Sequence, residues 1–205
     1  MKRSALYLAA ALALSPVLVA TPGLAEGPTT NLADVRSGAF ALDPAHAKII
    51  FSTSHFGFST YYGLFKTFDA KLNFDAKAPA KSTLEVTVQM NSVDTTNPKL
   101  DEHLESPDFF DAAKFPTATF KSTKIVVTGA HTGKITGDLT LHGVTKPVTL
   151  DATFNGGGEN MFKAYVLGFS ATTVIKRTEF GIKTYAPAVG DDVKLIISAE
   201  FDAVK

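Results

Sequence analysis

Val148-Thr149-Leu150-Asp151-Ala152-Thr153-Phe154 sets an apolar side chain at every second position and a polar one between. Successive side chains on a strand point to opposite faces, so this stretch has one dry and one wet face. Leu84, Val86, Val88 and Met90 alternate in the same way with Glu85, Thr87 and Gln89. So do Phe68, Leu72 and Phe74 with Asp69, Lys71 and Asn73. Val193, Leu195, Ile197, Ala199 and Phe201 alternate with Lys194, Ser198, Glu200 and Asp202, with Ile196 the one apolar residue on the wet side. The pattern is that of antiparallel sheet with one buried face.

Turn residues divide these runs. Pro79 lies within 75–81, Gly129 and Gly133 bound another break, and His142-Gly143 makes a tight one. Asn155-Gly156-Gly157-Gly158 reads as a flexible hairpin tip. Eight strands follow, near 46–57, 63–74, 82–91, 117–128, 133–141, 145–155, 162–176 and 192–202. Many short strands with one dry face require two stacked sheets or one closed sheet. Closure removes exposed edges, which suits a chain without disulfides.

One stretch departs from the period of two. Asn97 is placed to cap a short helix with Pro98 at its first position. Leu100 and Leu104 would share a face, Pro107 would end the helix, and Phe109, Phe110 and Phe115 would face something apolar. A helical insert near 98–110 is therefore expected to plug one end of the sheet.

The chain begins with Lys2 and Arg3, then the apolar run Leu6 to Leu14, the breaker Pro16 and the small-residue exit Gly23-Leu24-Ala25. This order fits a secretory signal peptide, residues 1–25, cut after Ala25. The apolar run is short and interrupted for a membrane-spanning helix. A periplasmic or secreted protein is expected. Residues 26–38 carry Pro28, Thr29, Thr30 and Asn31 without a period and read as a flexible lead-in, before a single domain over 39–203.

Removing Lys2 and Arg3 from the 20 basic residues leaves 18 against 20 acidic. This balance recommends neither nucleic acid nor an anionic membrane as partner. With no cysteine, disulfides, thiolate metal sites, a cysteine nucleophile and a lipid-modified cysteine are excluded. The 16 phenylalanines, all beyond the expected cleavage point, are the compositional oddity, and they suit an oily interior.

Catalytic signals are thin. The five histidines, His46, His55, His103, His131 and His142, sit in no metal-binding spacing, and there is no Gly-x-Ser-x-Gly elbow or phosphate loop. His55 shares a face with Phe51 and Thr53, whereas Ser52 and Ser54 face outward; His55 is therefore expected on the dry side as a hydrogen-bonded interior residue or a headgroup contact. Asp101, Glu102, His103 and Glu105 read as a solvated helix face. Arg177, near Glu179, reads as an ion pair or a buried guanidinium network rather than an anion site.

At these residues the chain resembles the YceI-like family of lipocalin-like, polyisoprenoid-binding periplasmic proteins. The matching runs include Leu42-Asp43 with His46, His55-Phe56-Gly57, Tyr62-Gly63-Leu64-Phe65 and Ser92-Val93-Asp94-Thr95. They continue through Asp101-Glu102-His103-Leu104-Glu105-Ser106, Asp108-Phe109-Phe110 and Phe115-Pro116-Thr117-Ala118-Thr119-Phe120. Gly137-Asp138-Leu139-Thr140-Leu141-His142-Gly143-Val144-Thr145-Lys146-Pro147-Val148 is the most specific, and Arg177-Thr178-Glu179-Phe180-Gly181 closes the set, with Glu179 where the family more often has Asp. The resemblance implies an all-β, eight-stranded antiparallel lipocalin-like barrel closed near one end by the helical segment. Its tunnel would hold an isoprenoid chain such as a quinone tail, and no general reaction attends the fold.

The expected wall of that tunnel is Phe51, Phe68, Leu72, Phe74, Leu84, Val86, Val88, Phe120, Leu139, Leu150 and Phe169, with His55 as the headgroup contact. The expected partner is an apolar small molecule, an isoprenoid or quinone lipid, with no other cofactor, no metal, no nucleic acid and no stable membrane insertion; a homodimer stays open. Three alternatives are distinguishable: a stress-protective interaction protein with a packed core, a metal-assisted hydrolase using His55, His103 or His142, and an outer-membrane barrel. The last needs a lipid-facing apolar band, and the outward positions carry Lys71, Lys121, Asp151, Lys194 and Glu200 instead.

Overall fold

The computed structural model describes residues 27–204. The expected signal peptide, residues 1–25, lies outside the described residues.

The chain forms β1 (Gly38–Leu42), β2 (Lys48–His55), β3 (Ser59–Phe65), β4 (Phe68–Phe74), β5 (Thr83–Gln89) and β6 (Val93–Asp94). The one α-helix among the described residues, α1 (Pro98–Glu105), precedes β7 (Thr117–Val127), β8 (Thr132–Leu141), β9 (Val144–Glu159), β10 (Tyr165–Lys176) and β11 (Asp192–Ala203). All pair antiparallel in one sheet, and β1 closes it by pairing with both β4 and β11.

Eleven strands make only eight staves. β1 and β2 follow one another along the same edge of β11, Phe40–Leu42 against Phe201–Ala203 and Lys48–Ser52 against Lys194–Ser198. β3 and β4 likewise form one broken stave, pairing with β2 and β1 in turn, and β5 and β6 form a third. The expected strand at 63–74 is thus two strands, broken at Lys66-Thr67. Phe65 faces inward before the break and Phe68, Ala70, Leu72 and Phe74 after it, so the inward set changes from odd to even numbers.

The helical insert forms as expected. Asn97 Oδ1 accepts from Leu100 N, Pro98 opens the helix and Ser106 caps its end. Asp101, expected on a solvated face, instead holds α1 to the barrel rim. Its Oδ1 accepts from Thr95 N at 2.7 Å and from Thr95 Oγ1 at 2.6 Å, and Thr95 is buried.

Two further expectations are corrected. Gly156, Gly157 and Gly158 lie within β9, paired with Gly168, Leu167 and Val166, and the hairpin turn comes later, at 160–164. The glycines serve close approach: the lead-in crosses here, with Thr29 and Gly157 exchanging two backbone hydrogen bonds at 2.9 Å. A Cβ on Gly157 would fall 2.6 Å from Leu167 Cδ2 and 2.9 Å from Val35 Cγ1. Val35 is buried in the core, so the segment read as flexible is tethered at both Thr29 and Val35. Ser52, expected outward and wet, is buried, a short side chain between the longer cross-strand neighbours Lys194 and Tyr62.

Candidate functional site

Two cavities lie end to end inside the barrel. The larger, about 500 Å³, sits toward the α1 end; the smaller, about 160 Å³, lies toward the opposite end. The first falls in the size range of small-molecule pockets. The second matches apolar cavities that stay dry yet admit a small apolar guest. Ile49, Val86, Leu150 and Ile197 border both and form a waist between them.

All eleven side chains expected on the tunnel wall line this lumen, and His55, the expected headgroup contact, lies at its mouth. Phe51, His55, Val86, Val88, Phe120, Leu139 and Leu150 face the larger cavity. Phe68, Leu72, Phe74, Leu84 and Phe169 face the smaller, with Val86 and Leu150 again. The alternation dictates this placement, because each residue occupies an inward position of its stave. Thr173 and Ile175 extend the Phe169 face of β10, and their even-odd phase was the signal for them.

His55 needs correction. It keeps the inward phase of Phe51 but stands past the top of the barrel, exposed at the mouth rather than dry. Its ring packs edge-on against Phe56 at 4.7 Å between centroids. The strand rises above the wall before the β2–β3 turn, so correct phase does not bring burial.

The α1 end is half closed by two segments. Leu100, Leu104, Phe109 and Phe110 come from α1 and the turn after it; Ile182, Tyr185 and Val189 come from the loop between β10 and β11. His103 Nε2 lies 3.2 Å from Asp108 Oδ2, and its ring meets Phe109 and Tyr185 edge-on. Phe115 packs on His142 outside the lumen, and His142 Nδ1 lies 3.1 Å from Phe180 O.

Arg177 braces the second segment. It is 5% exposed and spends its guanidinium on four backbone carbonyls. Nε donates to Gly190 at 2.9 Å, Nη1 to Ile182 at 3.0 Å and Thr184 at 2.9 Å, and Nη2 to Val189 at 2.8 Å. Burial pulls its pKa down, opposed by the charge of Asp191. This is the buried guanidinium network; Glu179 pairs outside with Lys146 at 3.5 Å.

Among the described residues, the group able to offer three metal ligands is Asp43, His46 and Glu200, half-buried to exposed and outside the lumen. None of His55, His103 and His142 belongs to it. His46 Nδ1 lies 2.7 Å from Asp43 Oδ2, and this contact raises the His46 pKa and lowers that of Asp43. No helix among the described residues is long and apolar enough to cross a membrane.

Fold and lumen together define a closed antiparallel barrel of eight staves with an apolar interior and a helical plug. The YceI-like domain family matches residues 40–201, and the chain belongs to that family. A UPF0312 protein of Ectopseudomonas mendocina (strain ymp) is 45% identical over 155 residues, 76% of this chain and 81% of that protein. The crystal structure of Burkholderia cenocepacia BcnA superposes with a TM-score of 0.71 at 26% identity, covering 78% of this chain and 98% of that one. A polyisoprenoid binding domain from Saccharophagus degradans, implicated in plant cell wall breakdown, shares the fold with a TM-score of 0.61 at 14% identity, over 82% of this chain and all of that one.

Proposed function

We propose that the protein is an exported, non-catalytic carrier or scavenger that holds a long-chain isoprenoid or similar amphiphilic lipid in its lumen. The observation that carries this reading is the pair of apolar cavities meeting at one waist. They set it apart from a packed-core interaction protein, whose interior would be filled. At about 0.8 kcal/mol per buried CH2, ten carbons contribute on the order of 8 kcal/mol, enough for micromolar affinity before ordering costs. Such a site selects girth and length, with Tyr61, Tyr185 and His55 at the mouth available to a headgroup. The signal-like order of residues 1–25 supports export. The polyisoprenoid binding named for one structural neighbour agrees with a slender apolar cargo.

Native mass spectrometry of protein purified without detergent tests the reading. A bound apolar molecule is expected, and delipidated protein is expected to take up a fluorescent prenyl lipid. Protein that is empty and refuses that lipid overturns the carrier role. Val86→Asp or Phe74→Asp, in variants that keep the wild-type circular dichroism, should abolish uptake.

A further inference from the structure

The β2–β3 turn, Phe56-Gly57-Phe58, presents aromatics where hairpin turns ordinarily carry polar residues. Phe58 is 91% exposed and Phe56 51%. Phe56 also has φ 50°, a left-handed backbone that costs an aromatic residue energy. The turn is nevertheless held firmly. Phe56 N donates to Ala188 O at 2.7 Å, Phe58 N to His55 O at 3.0 Å and Gly190 N to Ser54 O at 2.8 Å. Turn and loop 181–190 therefore form one rim, and Phe56 is at once exposed and part of the lumen wall.

Tyr62 and Tyr185, each more than half exposed, flank this rim, Tyr62 four residues down the strand from Phe58. Between Lys48 and Thr67, and between Gly181 and Gly190, there is no carboxylate, and the basic side chains are Lys48, His55, Lys66 and Lys183; the acidic groups at this end, Asp101, Glu102, Glu105 and Asp108, belong to α1 and the turn after it.

We propose that this rim is a membrane-contacting surface: the Phe56–Phe58 tip enters the acyl region of a phospholipid bilayer and holds the mouth of the lumen against it. This rests on the carrier reading and adds how cargo is exchanged. A convex tip of two phenylalanines falls well short of the roughly 800 Å² per partner that a stable protein interface buries. Phenylalanine outermost with tyrosines set back is the order suited to a bilayer surface, where tyrosine belongs at headgroup level. Residues 56–63, the tip and the strand below it, carry no charged side chain that would have to be desolvated on entering the bilayer. An apolar guest that moves directly between acyl chains and an apolar lumen avoids water throughout.

The opposite end supplies a control. Met161 and Phe162, 86% and 81% exposed on the β9–β10 turn, line neither cavity. The test uses full-length mature protein, Phe58→Ser and Phe162→Ser, with vesicles of phosphatidylcholine and phosphatidylglycerol. Flotation reads docking, transfer of a fluorescent prenyl lipid from vesicles reads exchange, and uptake of the same lipid from ethanol reads the lumen alone. Wild type and Phe162→Ser should float and transfer alike. Phe58→Ser should lose flotation and transfer about tenfold more slowly, with uptake from ethanol unchanged. Wild type that takes up lipid without floating, Phe58→Ser that transfers at the wild-type rate, or an equal loss in Phe162→Ser overturns the proposal. Failure of uptake from ethanol in every protein overturns the carrier reading instead, and flotation then decides docking by itself.

Discussion

The Phe51 ring occupies the space above its cross-strand partner Gly63: a Cβ on residue 63 would fall 2.3 Å from Phe51 Cζ. Glycine is needed here for room. The ring leans over the bare backbone and also meets Phe65 at 5.6 Å between centroids. Gly63→Ala should push Phe51 into the larger cavity and cost about 1–3 kcal/mol. In a Phe51→Ala background the same substitution should cost far less, a coupling that urea unfolding of the double-mutant cycle measures.

Arg177 serves four carbonyls, and only that of Gly190 has a second side-chain donor, Thr53 Oγ1 at 3.1 Å. Arg177→Met should leave the carbonyls of Ile182, Thr184 and Val189 unpaired beside the lumen and cost about 3 kcal/mol or more. Arg177→Lys should rescue little of this, because an ammonium cannot reproduce the guanidinium fork. Hydrogen exchange should show lost protection at Ile182 and Val189, whose amides donate to Arg177 O and Tyr185 O.

Asp191 links that loop to pH. Its carboxyl pKa is held below the ordinary value mainly by Thr178 N, which donates to Oδ1 at 2.9 Å. A lowered folded-state value stabilises the native state while the carboxylate is ionised. That contribution is complete above about pH 4 and is lost as pH falls through the folded value. Asp191→Asn should be less stable than wild type at neutral pH, with the gap in unfolding midpoint closing as pH falls below about 4.

The waist offers a length filter. Val86→Phe should fill the passage between the cavities, bordered also by Ile49, Leu150 and Ile197. Long prenyl alcohols should then lose affinity by about tenfold or more while short ones keep theirs. Parallel fluorescence titrations read the difference; equal losses for both would place the cargo in the larger cavity alone.

The eight staves and the inward direction of the eleven expected wall residues were legible because the period of two records which face is dry. The breaks within staves left a trace that is easy to pass over: inward positions run 49, 51, 53 on β2 but 40 and 42 on β1, a change of phase across 43–47. The glycine run within β9 misled because its cause, the crossing at Thr29, is more than a hundred residues away in sequence. The carbonyl cage around Arg177 is built from backbone, which side-chain identity does not report. His55 shows that alternation fixes direction while the height of the surrounding wall fixes burial.

The seam that completes the ring joins the first strand to the last, Phe40 beside Ala203 and Leu42 beside Phe201. A chain emerging from a ribosome therefore stays an open sheet until β11 arrives. Local hairpins form early, but this pairing across almost the whole domain waits, as long-range contacts do. Loss of Phe201–Ala203 would leave β1 and the start of β10 with bare edges, the kind of surface that recruits other chains into aggregates.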